Sequence, residues 1–449
     1  MTVNLISGQA QVTDDFGYRR ASDVFSKRSI SITGEPFYTG YEILVKRILL
    51  PAECRVLART FKRQRAKTEC GVSIQQSRSN RSLRTTVWII IHLGHAEQLS
   101  IEVRSDTMRK LVWLHALWLA ASLAAFSQEG AQQLASLGDF KLESGEIIRD
   151  CHVGYRIYGH LNADKSNAIL FPSWFGGTSK ELEDYFGPGR LVDTSLYYVI
   201  GVDALANGVS SAPSNSSQQP RLRFPRISIR DMVSSQYQLV TEKLQLPHLK
   251  AVMGDSMGGM QTFQWMVSYP DFMDYAIPIV GSPRLSSYEL TLFQLQVDAI
   301  RNDPAWNQGE YTSQPGVTMI AEAEALTLTT PGNYNHEVSR ERFRDAIEES
   351  KKDVAAIDAN NRLRQAEAMM AHDVSAPYGG SMEHAAARVK AKVLVIVDVH
   401  DHMVTPQAAV DFASLLHARI ISLESDCGHN GPECEMEKVA PQVAAFLSK

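Results

Sequence analysis

Gly254-Asp255-Ser256-Met257-Gly258-Gly259 stands directly after the apolar run Leu249 to Met253. A G-x-S-x-G pattern at the end of such a run predicts a strand, a sharp turn and a helix, with the serine hydroxyl exposed at the turn. Small residues at 254 and 258 let the backbone fold that tightly. A serine so placed is a candidate nucleophile. Its chemistry needs a base, a group to orient the base, and N–H donors for an oxyanion.

Working outward, short apolar runs recur at Ala168 to Phe171, Leu196 to Val202, Tyr275 to Val280, Lys392 to Val397 and Arg419 to Leu423. Continuous rather than alternating apolar runs predict strands buried on both faces, as in a parallel sheet covered by helices. Tyr155 to Tyr158 is expected to add an earlier antiparallel strand. Ile229 to Leu246 has helical spacing, with Ser228 able to cap its start. The fold class is therefore α/β with a mostly parallel sheet. From 285 to 386 the alternation breaks and only helix-like pieces appear, such as Ser339 to Asp358 and Arg362 to Ala371. This insertion falls where parallel strands end, and is expected to form a lid between core segments 128–284 and 387–449.

The partners of Ser256 lie downstream, in the chain order Ser, Asp, His. Asp401 follows the run Lys392 to Val397 on a loop and is the favoured orienting carboxylate, with Asp398 as its competitor. His429, in Ser425-Asp426-Cys427-Gly428-His429-Asn430, follows the last run and is the expected base. Oxyanion donors are expected from the amides of Met257 and Trp174, the latter in Pro172-Ser173-Trp174-Phe175-Gly176-Gly177, where Phe175 is the alternative. Asp398, His400, Asp401 and His402 crowd together as zinc ligands sometimes do. No H-E-x-x-H helix or second ligand cluster accompanies them, so no metal is expected.

A net charge of −5 suggests no polyanionic partner. Residues 1–107 carry 16 Lys+Arg against 10 Asp+Glu, or +6, which leaves −11 for the remainder. The basic part offers little beyond the apolar run Val87 to Leu93, and lacks the motif or interleaved aromatics of a nucleic-acid-binding arm. Met108-Arg109-Lys110, the apolar stretch Leu111 to Phe126 and then Ser127 read as a secretory signal peptide over 108–127. The stretch is short for a stable membrane span, the alternatives being a buried helix or a single anchor. The expectation is an exported, periplasmic or secreted protein beginning near Gln128, with residues 1–107 a non-native or disordered extension. Without a leader it would be cytoplasmic. Cys427 and Cys434 flank a short loop that a disulfide could close, and free thiols fit the sequence equally well.

The region from about Leu137 to Leu447 resembles the homoserine O-acetyltransferase family of α/β hydrolase-fold enzymes. The similar segments are Tyr158 to Ala168, Gly187-Pro188-Gly189-Arg190, Ile229 to Val233, Gly254 to Gln261, and Asp303 to Tyr311 in the lid. The resemblance implies a triad at Ser256, Asp401 and His429, a covalent acyl-serine, a lid-mediated homodimer, and acetyl-CoA as a substrate rather than a bound cofactor. One departure bears on substrate. The family's lid arginine, which holds the homoserine carboxylate, corresponds to Val297 in Val297-Asp298-Ala299-Ile300. A buried carboxylate without its bidentate partner is costly. The Asn207 to Asn215 loop and the Asn430-Gly431-Pro432 that follows His429 also differ from the family pattern. The expected activity is thus a serine ester hydrolase with a small-molecule substrate, the acetyltransferase being the alternative. A catalytically dead binding protein is a third reading, and the complete set of triad residues argues against it.

Overall fold

The computed structural model describes residues 129–448 in full. Before them it describes the backbone of the strands Val3–Ile6, Gln9–Val12, Arg19–Arg20, Val72–Ser77, Thr86–Leu93 and Glu97–Val103. The chain divides into two units, Met1–Ser127 and Gln128–Lys449. In the first unit the strands pair into two antiparallel three-stranded sheets. One of these strands coincides with the run Val87 to Leu93, and the other five were not expected from the sequence. Residues 108–127, expected to form a leader, lie outside the described residues. Among the described residues, no helix is long and apolar enough to cross a membrane.

The second unit is built on eight strands: β1 (Gln133–Lys141), β2 (Ile147–Tyr158), β3 (Ala168–Pro172), β4 (Tyr198–Val202), β5 (Leu249–Asp255), β6 (Met273–Ile279), β7 (Lys392–Asp398) and β8 (Arg419–Leu423). Their order across the sheet is β1-β2-β4-β3-β5-β6-β7-β8. Pairing is parallel from β4 through β8 and antiparallel at β4–β2 and β2–β1. All six apolar runs are strands. Tyr155 to Tyr158 proves to be only the end of β2, and β1 is an addition. In β1 the exposed positions outnumber the buried ones, and the β1–β2 register slips around Gly138, so no clean alternation marks it in the sequence.

The sheet separates two apolar layers. One gathers Met232, Met260, Phe263, Trp265 and Phe412. The other gathers Phe171, Leu182, Val439, Val443 and Phe446. β3 is buried along its whole length, as its unbroken apolar sequence requires. Helix α1 (Ile229–Gln238) begins with a reciprocal cap, Ser228 accepting from the Asp231 N–H while the Asp231 carboxylate accepts from the Ser228 N–H. Helix α2 (Met257–Ser268) follows β5 and is buried along almost all its length.

Between β6 and β7 the chain is helical: α3 (Ser287–Arg301), α4 (Val317–Thr327), α5 (Pro331–Glu337), α6 (Phe343–Ala356), α7 (Ala359–Met370) and α8 (Met382–Ala386). A small core of Ile300, Tyr311, Ile320 and Val354 holds these helices together. The Asp303 to Tyr311 segment braces them. Asp303 accepts from the Ala305 and Gly316 amides, and the Tyr311 hydroxyl donates to Asp358. The core then closes with α9 (Gln407–Leu415), α10 (Gly431–Cys434) and α11 (Met436–Leu447).

After α7, His372 is buried with Nε2 unpartnered. Burial pushes its pKa down to about 4, against the opposing charge of Asp373. The unfolded imidazole takes a proton near its ordinary value of about 6.5. This contribution to stability is therefore complete above pH ~6.5 and is lost as the pH falls from there toward ~4, on the order of 3 kcal/mol in all. Urea unfolding at pH 7.5 and 4.5 is expected to show a smaller acid loss for His372→Gln than for the wild type. Equal losses would rule out this residue as a source of acid sensitivity.

Candidate active site

Ser256 joins β5 to α2 with φ 56° and ψ −119°, the strained geometry of a nucleophile elbow. Its N–H donates to the Ile279 carbonyl, tying the turn to β6. Although it immediately precedes α2, its side chain makes no capping bond, so the hydroxyl is left for other work. A Cβ at Gly258 would run into the Pro172 carbonyl. Glycine there brings the start of α2 against the end of β3, and so brings the two sequence-predicted oxyanion segments together.

The Ser256 hydroxyl lies 2.9 Å from His429 Nε2. On the other side of the ring, His429 Nδ1 donates to Asp401 Oδ2 at 2.7 Å. Asp401 is held in turn by the Met403 and Val404 amides, both 2.8 Å from Oδ1. Three residues from distant stretches thus form one hydrogen-bonded line, and both Asp401 and His429 are buried. Asp398 has a different place. Its carboxylate accepts from the His400 and Ser425 amides and braces the two loops that carry Asp401 and His429.

The imidazole of His429 is subject to opposing effects. Burial lowers its pKa, but the charge of Asp401, the hydrogen bond to Asp401 and the charge of Asp255 together raise it above the ordinary value. Asp255 had no role in the sequence reading. Its Oδ2 accepts from the Tyr185 hydroxyl at 2.8 Å, while Oδ1 is buried without a partner. Burial pushes the Asp255 pKa up to about 6, against the pull of His429 and the Tyr185 bond. Position 255 lies within the motif, but Tyr185 is 70 residues away and carries no local signal.

The loop after β3 is well fastened. Ser173 donates its N–H to the Val202 carbonyl, Gly177 donates to the Trp174 carbonyl, and Gly176 donates to the Gln365 side chain. Among the described residues, the amides of Trp174 and Phe175 have no hydrogen-bond acceptor, and neither does that of Met257. These are the donor candidates read from the sequence, including the alternative at Phe175. The Trp174 ring lies over Gly177 and beside Tyr185.

Two further positions bear on chemistry. Val297 is buried in a small apolar cluster with Leu363 and Ala366. Arg362, on α7, is buried, and its guanidinium pairs with Glu324 at 2.6 Å. Cys427 and Cys434 are joined as a disulfide that brackets His429, so the open question of their pairing has a definite answer in the structure. Cys151 is free and buried, its thiol pushed up to about 12 by burial first of all, and it is no rival nucleophile. Replacing Cys427 and Cys434 together by serine is expected to lower unfolding stability by about 2–3 kcal/mol through the restored freedom of the small ring. Urea midpoints measured without reductant check this, and unchanged midpoints would refute it.

Residues 169–433 match the alpha/beta hydrolase fold family. Over 334 residues, the chain is 35% identical to an ethyl acetate hydrolase of Pseudomonas veronii, covering 71% of this chain and 95% of that protein. It is 32% identical over 359 residues to a homoserine O-acetyltransferase of Pelobacter propionicus, covering 70% of this chain and 96% of that protein. The solved structure of the acetyl esterase MekB superposes with a TM-score of 0.68 at 33% identity, covering 72% of this chain and 98% of that one. The chain belongs to the α/β hydrolase family, in the group that holds homoserine O-acetyltransferases and esterases of the same build. It is an enzyme of acyl transfer or ester hydrolysis.

Proposed function

We propose that this protein is an exported serine esterase that hydrolyses small carboxylic esters through an acyl-Ser256 intermediate. The line Ser256–His429–Asp401 is the observation that carries the reading. His429 takes the Ser256 proton as Oγ attacks the ester carbonyl. Asp401 orients the ring and stabilises the imidazolium, and the Met257 and Trp174 amides receive the oxyanion. His429 then returns the proton to the departing alcohol, activates water, and the acyl group leaves as the acid.

Hydrolysis is favoured over acetyl transfer to homoserine by the apolar surroundings of Val297, where the acetyltransferases place their carboxylate-binding arginine. The buried Arg362 is no substitute, because Glu324 already neutralises it. Relatives named for ethyl acetate and acetyl esters support a short acyl group. The leader-like segment 108–127 and the disulfide beside His429 support an oxidising compartment outside the cytoplasm. Exposed Tyr288, Leu295, Met319 and Leu326 on α3 and α4 support a second copy docking through the lid.

Two assays on the purified enzyme separate the readings. Hydrolysis of p-nitrophenyl acetate is expected to outpace CoA release from acetyl-CoA plus homoserine. Faster CoA release would establish the acetyltransferase instead. Exported material is expected to begin near Gln128 on N-terminal sequencing.

A further inference from the structure

The lid reaches into the loop proposed to hold the oxyanion. Gln365, on α7, is wholly buried and uses both ends of its amide. Its Oε1 accepts from the Gly176 N–H at 2.8 Å, and its Nε2 donates to the Leu205 carbonyl at 3.0 Å. Gly176 sits in the turn closed by the Gly177 N–H onto the Trp174 carbonyl, with φ 73°, directly after the residues whose amides are the oxyanion-donor candidates. One turn earlier on the same face, the Arg362 guanidinium lies 5.1 Å from the Phe175 ring centroid. The helix is fastened at its start as well, where Asn361 and Ser214 exchange two hydrogen bonds at 2.8 and 3.0 Å.

The core alone leaves this loop partly held. Ser173 donates to the Val202 carbonyl before the turn, Asn207 donates to the Gly177 carbonyl at its end, and Asp203 accepts from the Ser179 N–H beyond it, so none of these ties reaches Gly176. The tie at Gly176 comes from a residue 189 positions away. A buried amide with both ends bonded is a rigid strut, and oxyanion stabilisation depends on donors fixed before the charge develops.

We infer that Gln365 is a positioning residue for ester hydrolysis, through which lid helix α7 sets the oxyanion-binding geometry of the Trp174–Gly177 turn. The inference rests on the proposed assignment of that turn to the oxyanion. It makes α7 a fixed part of the catalytic site.

The test compares wild type, Gln365→Met, Gln365→Asn and Gln365→Glu on p-nitrophenyl acetate, with rates normalised to sites titrated by a fluorophosphonate. Gln365→Met keeps the bulk and loses both bonds. It is expected to lower kcat per titrated site about 30-fold with KM within about threefold, below the 100-fold or more that follows outright loss of a donor. Inhibition by a methyl trifluoromethyl ketone, whose serine adduct carries an oxyanion, should weaken by a similar factor. Gln365→Glu, its carboxyl kept protonated by the burial of this position, can accept from Gly176 and donate to the Leu205 carbonyl, and should restore most of kcat at acidic to neutral pH. Gln365→Asn, shorter by one methylene, should behave as the methionine variant does and serves in its place if that variant does not fold. Wild-type kcat per titrated site in Gln365→Met or Gln365→Asn overturns the inference, as does loss confined to KM or to the number of titratable sites. Failure of the underlying reading looks different: hydrolysis would survive Ser256→Ala if the serine mechanism is wrong, and ketone inhibition would stay at the wild-type level while kcat falls if the turn does not hold the oxyanion.

Discussion

Exchange of Ser256 for alanine is expected to lower kcat for ester hydrolysis by about six orders of magnitude, the effect seen when a serine nucleophile is removed from a complete triad. The expected loss is this large because Cys151, the free cysteine among the described residues, cannot take over. Cys151 is buried and its thiol is held protonated. The variant should still fold. The Ser256 side chain caps nothing, its N–H bond to Ile279 belongs to the backbone, and alanine meets the same strained φ that serine already tolerates. Pre-steady-state and steady-state rates on p-nitrophenyl acetate, with circular dichroism as the folding control, check this outcome. Retention of even a hundredth of the activity would place the nucleophile elsewhere.

Asp401→Asn is expected to cost about four orders of magnitude in kcat at neutral pH, with little change in structure. The carboxylate now accepts the proton of His429 Nδ1, which leaves Nε2 bare to accept from Ser256. The asparagine NH2 would face Nδ1 as a donor, move the ring proton to Nε2, and so block the base. The Met403 and Val404 amides would still hold the side-chain oxygen. The pH profile gives a second readout. Burial lowers the pKa of His429, but Asp401 and Asp255 together lift it above the ordinary ~6.5. Because the neutral ring is the active form, the wild-type rate should fall as pH drops through a value above ~6.5, and this acid limb should move to lower pH in Asp401→Asn. Asp255→Asn should move it the same way by less, since Asp255 acts through charge alone. An acid limb unmoved by both substitutions would dissociate these carboxylates from the base.

What could be read from the sequence divides along physical lines. The elbow was legible because strand, tight turn and helix are adjacent in the chain, and small residues at 254 and 258 are a local requirement. The parallel strands were legible because burial on both faces leaves continuous apolar runs. β1 was not, since an edge strand with a slipped register has neither alternation nor continuity. Asp401 and Asp398 lie three residues apart, and composition cannot say which turns toward His429. That depends on Asp398 being claimed by the amides of His400 and Ser425. Among the described residues the amides of both Trp174 and Phe175 lack an acceptor, so the ambiguity at that loop carries through to the structure. Tyr185 beside Asp255 and Gln365 beneath Gly176 were invisible, because each meets its partner 70 or more residues away through a single hydrogen bond. The disulfide was legible only as an option, because two cysteines seven positions apart permit either state.

Mass spectrometry of the enzyme after fluorophosphonate treatment bears on all of this at once. A single adduct per chain should map to Ser256, form with the same pH dependence as ester hydrolysis, and be slowed severely by Asp401→Asn or His429→Ala. An enzyme that hydrolyses esters yet carries no adduct at Ser256, or carries one there at an unaltered rate without His429, would not be working through the line of groups described.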